Sequence, residues 1–212
     1  MAIWFYKPNA IKEVLKKMQT KNKIKLIAIC GKSASGKDTL LKELLNLDNS
    51  LHEIISCTTR PRRENEIDGK NYYFITKEEF FHKCQQGDML EITTFRDWYY
   101  GTAKSSLDPE AINVGVFNVE GIDELYNNSD LDIYVVEVVA PAKTRLIRSL
   151  NREANPDVDE IIRRYLADEE DFEHFYGAHG VLHNDINSKL DLHLGAKNIL
   201  TATEHYWAKE TN

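Results

Sequence analysis

The chain has 212 residues, of which 42% are apolar and 29% are charged, and a formal net charge of -7. No apolar run approaches the roughly 18 residues that a membrane-spanning helix needs. The negative charge argues against nucleic acid as the main partner, and three widely spaced cysteines favour reduced thiols in the cytoplasm. We therefore expect one cytoplasmic domain over residues 1–212, a monomer or homodimer that binds neither nucleic acid nor a membrane.

The first predicted elements surround a short glycine-rich turn. Residues 1–22 end in an amphipathic pattern that predicts a helical N-terminal extension. Residues 24–30 are almost continuously apolar, as expected for a strand buried on both faces, and the leucine spacing of residues 40–47 is typical of a core-facing helix. Segment 31–39 therefore connects a buried strand to a helix.

Segment 31–39 reads GKSASGKDT, and its two glycines and lysine stand at the positions of a phosphate-binding loop. Backbone N–H groups in such a loop surround a phosphate, and the next helix directs its positive dipole end at the same charge. The lysine reaches the outer phosphates as a point charge. The residues predicted to bind a nucleotide here are Gly31, Ser33, Ala34, Ser35, Gly36, Lys37, Asp38 and Thr39.

The middle of the chain is rich in β signals. We predict strands at 53–56, 71–75 and 89–95, with a short helix at 77–86 that Gly87 closes. These elements suggest a small lobe, residues 53–104, inserted between the first and the later strand–helix units.

The alternation of strands and helices then resumes. Strands are predicted at 114–119, 133–139 and 180–184, and helices at 122–126, from Pro141 to Arg152, at 157–176 and at 188–208. Gly195 lies near the middle of the last predicted helix and weakens it. Strands that alternate with helices imply an α/β fold with a mainly parallel sheet and a ligand at the carboxyl ends of the strands.

Several ordered motifs over residues 24–185 resemble the guanylate kinase family. The segments are SCTTRPRR at 56–63, then Glu66, DG at 68–69, YYF at 72–74, LE at 90–91 and YYGT at 99–102. The resemblance implies an enzyme that moves the γ-phosphoryl group of ATP onto a nucleoside monophosphate, with GMP or dGMP as the expected acceptor. It also implies a P-loop core (24–52 and 105–212), a monophosphate-binding lobe (53–104) and a helical lid (about 148–164).

The resemblance assigns the acceptor residues. It places Ser56, Arg60, Arg63 and Tyr72 on the monophosphate, where arginine forks grip two oxygens at once. A carboxylate such as Glu91 can accept hydrogen bonds from N1–H and the 2-amino group of guanine, and Thr102 can donate to O6. Tyr100 and Asn118 are the remaining residues assigned to the acceptor substrate.

The resemblance also assigns the donor side, where phosphoryl transfer needs positioning and charge compensation rather than a general base. Lys37 supplies a fixed charge in the loop. The lid arginines that would close over the migrating group are Arg148, Arg152 and Arg164. Asn184 resembles the family's adenine-side segment, and Mg²⁺ is implied as the partner of ATP, with Asp38 as its candidate ligand.

Two positions depart from the family pattern. The family usually has serine or threonine where Asp38 stands and an aspartate where Asn118 stands. An amide donates as well as accepts, which puts strict recognition of guanine in doubt. Two alternatives stay open: a related kinase with another deoxynucleotide or a phosphorylated sugar as acceptor, and a catalytically silent module that binds a phosphorylated peptide.

Overall fold

The apolar run of residues 24–30 forms the central strand of a parallel sheet in the computed structural model of the chain, which describes residues 23–63, 66–152, 154–185 and 189–209. The predicted extension over residues 1–22 lies outside the described residues. The strands are β1 (Ile24–Cys30), β2 (His52–Glu53), β3 (Cys57–Thr58), β4 (Tyr73–Phe74), β5 (Met89–Phe95), β6 (Trp98–Ala103), β7 (Asn113–Val116), β8 (Leu131–Val139) and β9 (Gly180–His183). The helices are α1 (Lys37–Leu47), α2 (Lys77–Gln85), α3 (Val119–Tyr126), α4 (Ala142–Leu150), α5 (Val158–Asp171) and α6 (Lys189–Lys209), with one 3₁₀ turn at Lys104–Ser106.

The larger sheet has the order β2-β7-β1-β8-β9, and all of its pairs are parallel. Side chains of β1 alternate between two cores, as the period of a strand requires. Ile27 and Ile29 pack with α1 and α6 on one face, and Leu26 and Ala28 pack with α3 on the other. The predicted α/β fold with a parallel sheet flanked by helices is confirmed.

A second sheet has the order β4-β3-β6-β5 and lies within the segment for which a β-rich lobe is predicted. The pair β5–β6 is an antiparallel hairpin, and β3 joins β6 antiparallel and β4 parallel. Helix α2 begins with a capping box between Thr76 and Glu79, and its Phe80 is fully buried. The lobe boundaries and its binding role stay predictions.

Two of the predicted strands are wrong at their ends. The chain passes from the larger sheet to the smaller one after β2, so residues 54–56 belong to neither strand. The strand predicted at 114–119 ends at Val116, because the Asn118 side chain accepts a hydrogen bond from Gly121 N at 2.8 Å and caps α3, which starts at Val119 rather than at residue 122.

The two C-terminal helices also differ from the prediction in detail. Helix α5 ends at Asp171, five residues before the predicted end, with Phe172 as its C-cap. Helix α6 includes Gly195, where an added Cβ would lie 2.4 Å from Leu182 Cδ1 of β9. The glycine therefore permits close packing of α6 against the sheet. None of the described helices combines the length and apolarity that a membrane span requires.

Candidate active site

The phosphate loop follows the carboxyl end of β1, and its backbone explains the two glycines. Gly31 has φ +145°, and an added Cβ would lie 2.4 Å from the carbonyl oxygen of Val138. Gly36 has φ +107°, and an added Cβ would lie 2.1 Å from Asn184 Nδ2. Ala34 also adopts a left-handed conformation, with φ +59°. Larger side chains would strain the turn at both glycines.

Lys37, the first residue of α1, folds back over the loop. Its Nζ donates to the carbonyl oxygens of Gly31 at 2.7 Å and Lys32 at 3.2 Å. Burial lowers the pKa of Lys37, and the nearby charge of Arg152 acts in the same direction, whereas Asp38 and Asp168 oppose it. The ammonium group is therefore held against the first two residues of the loop, and its role as a phosphate ligand stays a prediction.

Two residues predicted to act on ATP brace the backbone of the loop. Arg148 Nη1 donates to the carbonyl oxygens of Ala34 at 3.3 Å and Ser35 at 3.2 Å, and its Nη2 donates to the carbonyl oxygen of Asn184 at 3.1 Å. Asn184 Nδ2 donates to the carbonyl oxygen of Ser35 at 2.7 Å. Helix α4 and the end of β9 thus hold the loop in shape, and the predicted roles of both side chains toward ATP stay predictions.

An acidic pair on α5 contacts the loop from the other side, and sequence reasoning missed it. Asp168 Oδ2 accepts from Ser33 N at 2.6 Å, and Glu169 Oε2 accepts from Lys32 Nζ at 2.6 Å. Glu169 Oε1 also accepts from Arg145 Nη2 at 2.5 Å, and the Arg145 side chain is only 3% exposed. No motif marks these acids as contacts of the loop, because their partners in the loop lie more than 130 residues away in the sequence.

Three predicted acceptor residues come together at the hairpin, namely Glu91 and Thr102, predicted for the base, and Ser56, predicted for the monophosphate. Glu91 of β5 pairs in register with Thr102 of β6, and Thr102 Oγ1 shares a hydrogen bond of 2.9 Å with Ser56 Oγ. Glu91 is 6% exposed, and burial raises its pKa from 4.5 to about 7, although hydrogen bonds from Thr102 lower it in part. Glu124 and Glu120 of α3 add to the rise.

Asn118 lies beside this carboxylate. A methyl group on Gly121 would lie 2.9 Å from Asn118 Oδ1 and 3.2 Å from Glu91 Oε2, so the glycine leaves room for both side chains. Because Asn118 Oδ1 already accepts from Gly121 N, the amide presents its donor, Nδ2, to further partners.

The predicted phosphate grip is built on Arg60, which is 7% exposed. Its Nη1 and Nη2 donate to Glu66 at 2.7 and 2.5 Å, and its guanidinium carbon lies 5.5 Å from the ring centroid of Tyr72 and 5.4 Å from that of Phe74. The ring of Tyr72 packs edge-on against Tyr100, with centroids 6.0 Å apart. Glu66 also orders the next turn, because its carboxylate accepts from Arg63 N, while Arg63 itself is exposed.

The remaining predicted residues lie at the rim. Asp38 and Thr39 are exposed in the first turn of α1, and the charge of Asp38 helps to raise the pKa of Tyr72, for which burial is the larger cause. The start of α1 therefore faces the acceptor residues. Arg152 is exposed after α4, and Arg164 of α5 donates from Nε to Glu160 Oε1 at 2.7 Å. Within the described ranges, no group of three His, Cys, Asp or Glu side chains is arranged to hold a metal ion.

Comparison with known proteins agrees with this geometry. Residues 23–192 match the family model described as guanylate kinase. A guanylate kinase of Thermotoga maritima is 34% identical over 148 residues, which cover 65% of this chain and 69% of that protein. A guanylate kinase of Ruegeria sp. is 33% identical over 186 residues, which cover 84% of this chain and 83% of that protein.

A solved structure supports the fold independently. The crystal structure of guanylate kinase from Anaplasma phagocytophilum superposes with a TM-score of 0.65 at 18% identity, and the alignment covers 88% of this chain and 87% of that chain. Because the family model spans most of the sequence and the relatives align over most of both lengths, the chain belongs to the guanylate kinase family, as the resemblance of its motifs predicted.

Proposed function

We propose that this chain is an ATP-dependent nucleoside monophosphate kinase that transfers the γ-phosphoryl group of ATP to GMP or dGMP, releasing ADP and GDP or dGDP. The observation that carries the proposal is that this member of the family combines a phosphate loop with a buried carboxyl group, that of Glu91, which is suited to binding guanine. Neither the fold nor the relatives favour another acceptor or a silent binding module.

On the acceptor side, Glu91 accepts from N1–H and the 2-amino group of the base, and Thr102 donates to O6. Ser56, whose hydroxyl hydrogen-bonds to that of Thr102, contacts the monophosphate. Adenine offers an acceptor at N1, which a carboxylate repels. Arg60, Arg63 and Tyr72 hold the monophosphate. The support for Arg60 is that Glu66 and two aromatic rings orient its fork in advance, so that less freedom is lost when phosphate binds.

On the donor side, the loop N–H groups and Lys37 bind the phosphates of ATP, and the lid arginines Arg148, Arg152 and Arg164 complete the charge compensation. Asn184 contributes at the adenine side of the same loop. These roles require no general base, because the transfer depends mainly on positioning and electrostatic stabilisation.

The residues present fit magnesium carried by ATP. Mg²⁺ in such sites keeps several waters and takes one or two carboxylates besides the phosphate oxygens, so an all-protein cage is not needed. Asp38, which is exposed in the first turn of α1 beside Lys37, is the candidate carboxylate. The bound ion would neutralise charge on the β- and γ-phosphate oxygens.

The proposal is tested by measuring ADP release from ATP and Mg²⁺ against a panel of ribo- and deoxynucleoside monophosphates. We expect turnover with GMP and dGMP and much less with AMP, CMP and UMP. Lys37→Ala should lower kcat/KM by a factor of about 100 or more, as expected when a pre-organised phosphate ligand worth about 3 kcal/mol is removed.

Lys42→Ala is the matched control, because Lys42 lies exposed on the same helix and should leave the rate unchanged. Turnover with a pyrimidine acceptor but not with GMP would contradict the assignment of the base pocket. The complete lack of turnover with every acceptor would contradict the proposed function itself.

A further inference from the structure

A cluster of charged side chains joins the start of α5 to the tip of the β5–β6 hairpin. Its centre is Glu160, whose side chain is 15% exposed. Glu160 accepts from Arg163 Nε and Nη2, each at 2.9 Å, and from Arg164 Nε at 2.7 Å on its own helix. It also accepts from Arg96 Nη2 on the hairpin, so one carboxylate links two parts of the chain that are 64 residues apart.

The three arginines of this cluster pack against the ring of Phe95. The guanidinium carbons lie 4.4 Å from its centroid for Arg163, 5.2 Å for Arg164 and 5.8 Å for Arg96. Guanidinium groups are attracted to an aromatic face at these distances. Phe95 therefore orients the same three side chains that the carboxylate holds.

The hairpin presents Arg96 to α5 through its backbone. Phe95 pairs with Trp98, which leaves Arg96 and Asp97 as a two-residue turn, and Arg96 has φ +56°. Two-residue hairpin turns require positive φ, which residues other than glycine rarely adopt. Arg96 adopts this conformation at the position from which its side chain reaches Glu160.

The charges explain why Glu160 holds the cluster. The hydrogen bond from Arg163, together with Arg164, lowers the pKa of Glu160 to about 2, so the carboxylate is ionised at any working pH. Glu160 Oε1 accepts a hydrogen bond from Arg164 Nε alone, so the two terminal nitrogens of Arg164 lie outside this ion pair. A guanidinium held in this way has a fixed direction and retains donors for an anion.

We infer that Glu160 is a positioning residue for phosphoryl transfer. It orients the Arg164 side chain toward the reacting phosphates, and through its contact with Arg96 it links that orientation to the acceptor lobe. The inference rests on the proposed function, in which Arg164 contacts the migrating group. It adds residues that no motif of the sequence marks, Glu160 and Arg96, and gives the hairpin tip a part in the reaction.

Steady-state kinetics of Glu160→Gln test the inference. We expect kcat to fall about 10-fold or more while the KM values for ATP and GMP change less than 3-fold, because Arg164 acts on the reaction rather than on ground-state binding. Asp159→Asn is the matched control, since it removes one negative charge from the same helix end at an exposed side chain, and it should leave kcat unchanged.

A double-mutant comparison separates positioning from simple support of the fold. If Glu160 acts through Arg164, Glu160→Gln should have almost no further effect on kcat in an Arg164→Ala background. Arg96→Ala should reproduce part of the loss in the wild-type background. The Nε–H signal of Arg164 in nitrogen NMR should lose its protection from exchange in Glu160→Gln, with the thermal midpoint reported alongside.

The outcomes distinguish the two proposals. An active wild type in which Glu160→Gln leaves kcat unchanged, or in which its loss persists in full without Arg164, would overturn the inference alone. A wild type without GMP-dependent turnover would overturn the proposed function and the inference with it.

Discussion

Glu91, the residue that we propose binds the base, is buried at a cost to stability. Burial of its carboxyl group, with a smaller effect of the exposed acids Glu124 and Glu120, raises its pKa from 4.5 to about 7. The folded state then keeps a proton that the unfolded state loses between these two pH values. Stability contributed at this position is therefore complete below pH 4.5 and is lost as the pH rises toward 7.

Replacing this carboxyl group should change stability in a pH-dependent manner. We expect Glu91→Gln to unfold with the same free energy as the wild type near pH 4.5 and to be more stable by up to about 3 kcal/mol above pH 7, because the amide never has to ionise in the interior. Urea unfolding at several pH values measures the difference. The same variant should have a strongly raised KM for GMP.

The control for this prediction is Asp123→Asn, which changes an exposed acid of α3 that is not among the groups raising the pKa of Glu91. Its stability difference from the wild type should stay nearly flat across the same pH range. A flat difference for Glu91→Gln as well would mean that the carboxyl group titrates near its ordinary pKa.

At the scale of elements, the contact between α6 and β9 depends on Gly195. Alanine is favoured over glycine in a helix by about 1 kcal/mol, but an added Cβ would lie 2.4 Å from Leu182 Cδ1. The sequence pattern predicted this helix and treated the glycine as a weakness. The packing partner that explains the glycine is visible only in the tertiary structure.

This contact predicts that the effect of Gly195→Ala on stability changes sign between the wild type and a Leu182→Ala background. Gly195→Ala should destabilise the wild type by about 1 kcal/mol, since overpacking outweighs helix propensity. In a Leu182→Ala background the same change should stabilise the protein by roughly 1 kcal/mol, because the obstacle is gone. Thermal or urea unfolding of the four proteins measures both differences, and stabilisation in both backgrounds would show that Leu182 moves aside at little cost.

At the scale of the whole molecule, α5 contacts both halves of the proposed site. Its first turn reaches the acceptor hairpin through Glu160, and its last turns reach the phosphate loop through Asp168 and Glu169. The Asp168 carboxylate bonds to Ser33 N, one of the loop N–H groups that the motif assigns to phosphate. A nucleotide bound as we propose would therefore compete with this carboxylate for the same donor.

This competition predicts tighter ATP binding when the carboxylate is removed. We expect Asp168→Ala to lower the Kd for ATP about 5-fold, which corresponds to about 1 kcal/mol of repulsion and competition between like charges near the surface. Calorimetric titration without an acceptor measures it. Glu170→Ala, an exposed neighbour on the same helix, should leave the Kd unchanged; weaker binding in Asp168→Ala would mean that this carboxylate assists the nucleotide.

The sequence alone determined the phosphate loop, the buried central strand and the family, because each depends on residues that are adjacent in the chain and on local backbone chemistry. It misjudged residues 54–56 and 117–119, where the chain changes sheet or caps and begins a helix and strand propensity is overridden. The spacing of Glu160 and Arg164, four residues apart on one helix, was the one local signal of their pairing.

Only the tertiary structure shows that Arg148 and Asn184 brace the loop and that Asp168 contacts Ser33. It alone also shows the link from Arg96 to Glu160 and the burial that raises the pKa of Glu91. In each case the deciding partners lie far apart in the sequence, so their geometry depends on how the two sheets and α5 pack. Burial and distance, which set the strength of these charges, arise from that packing and not from local sequence.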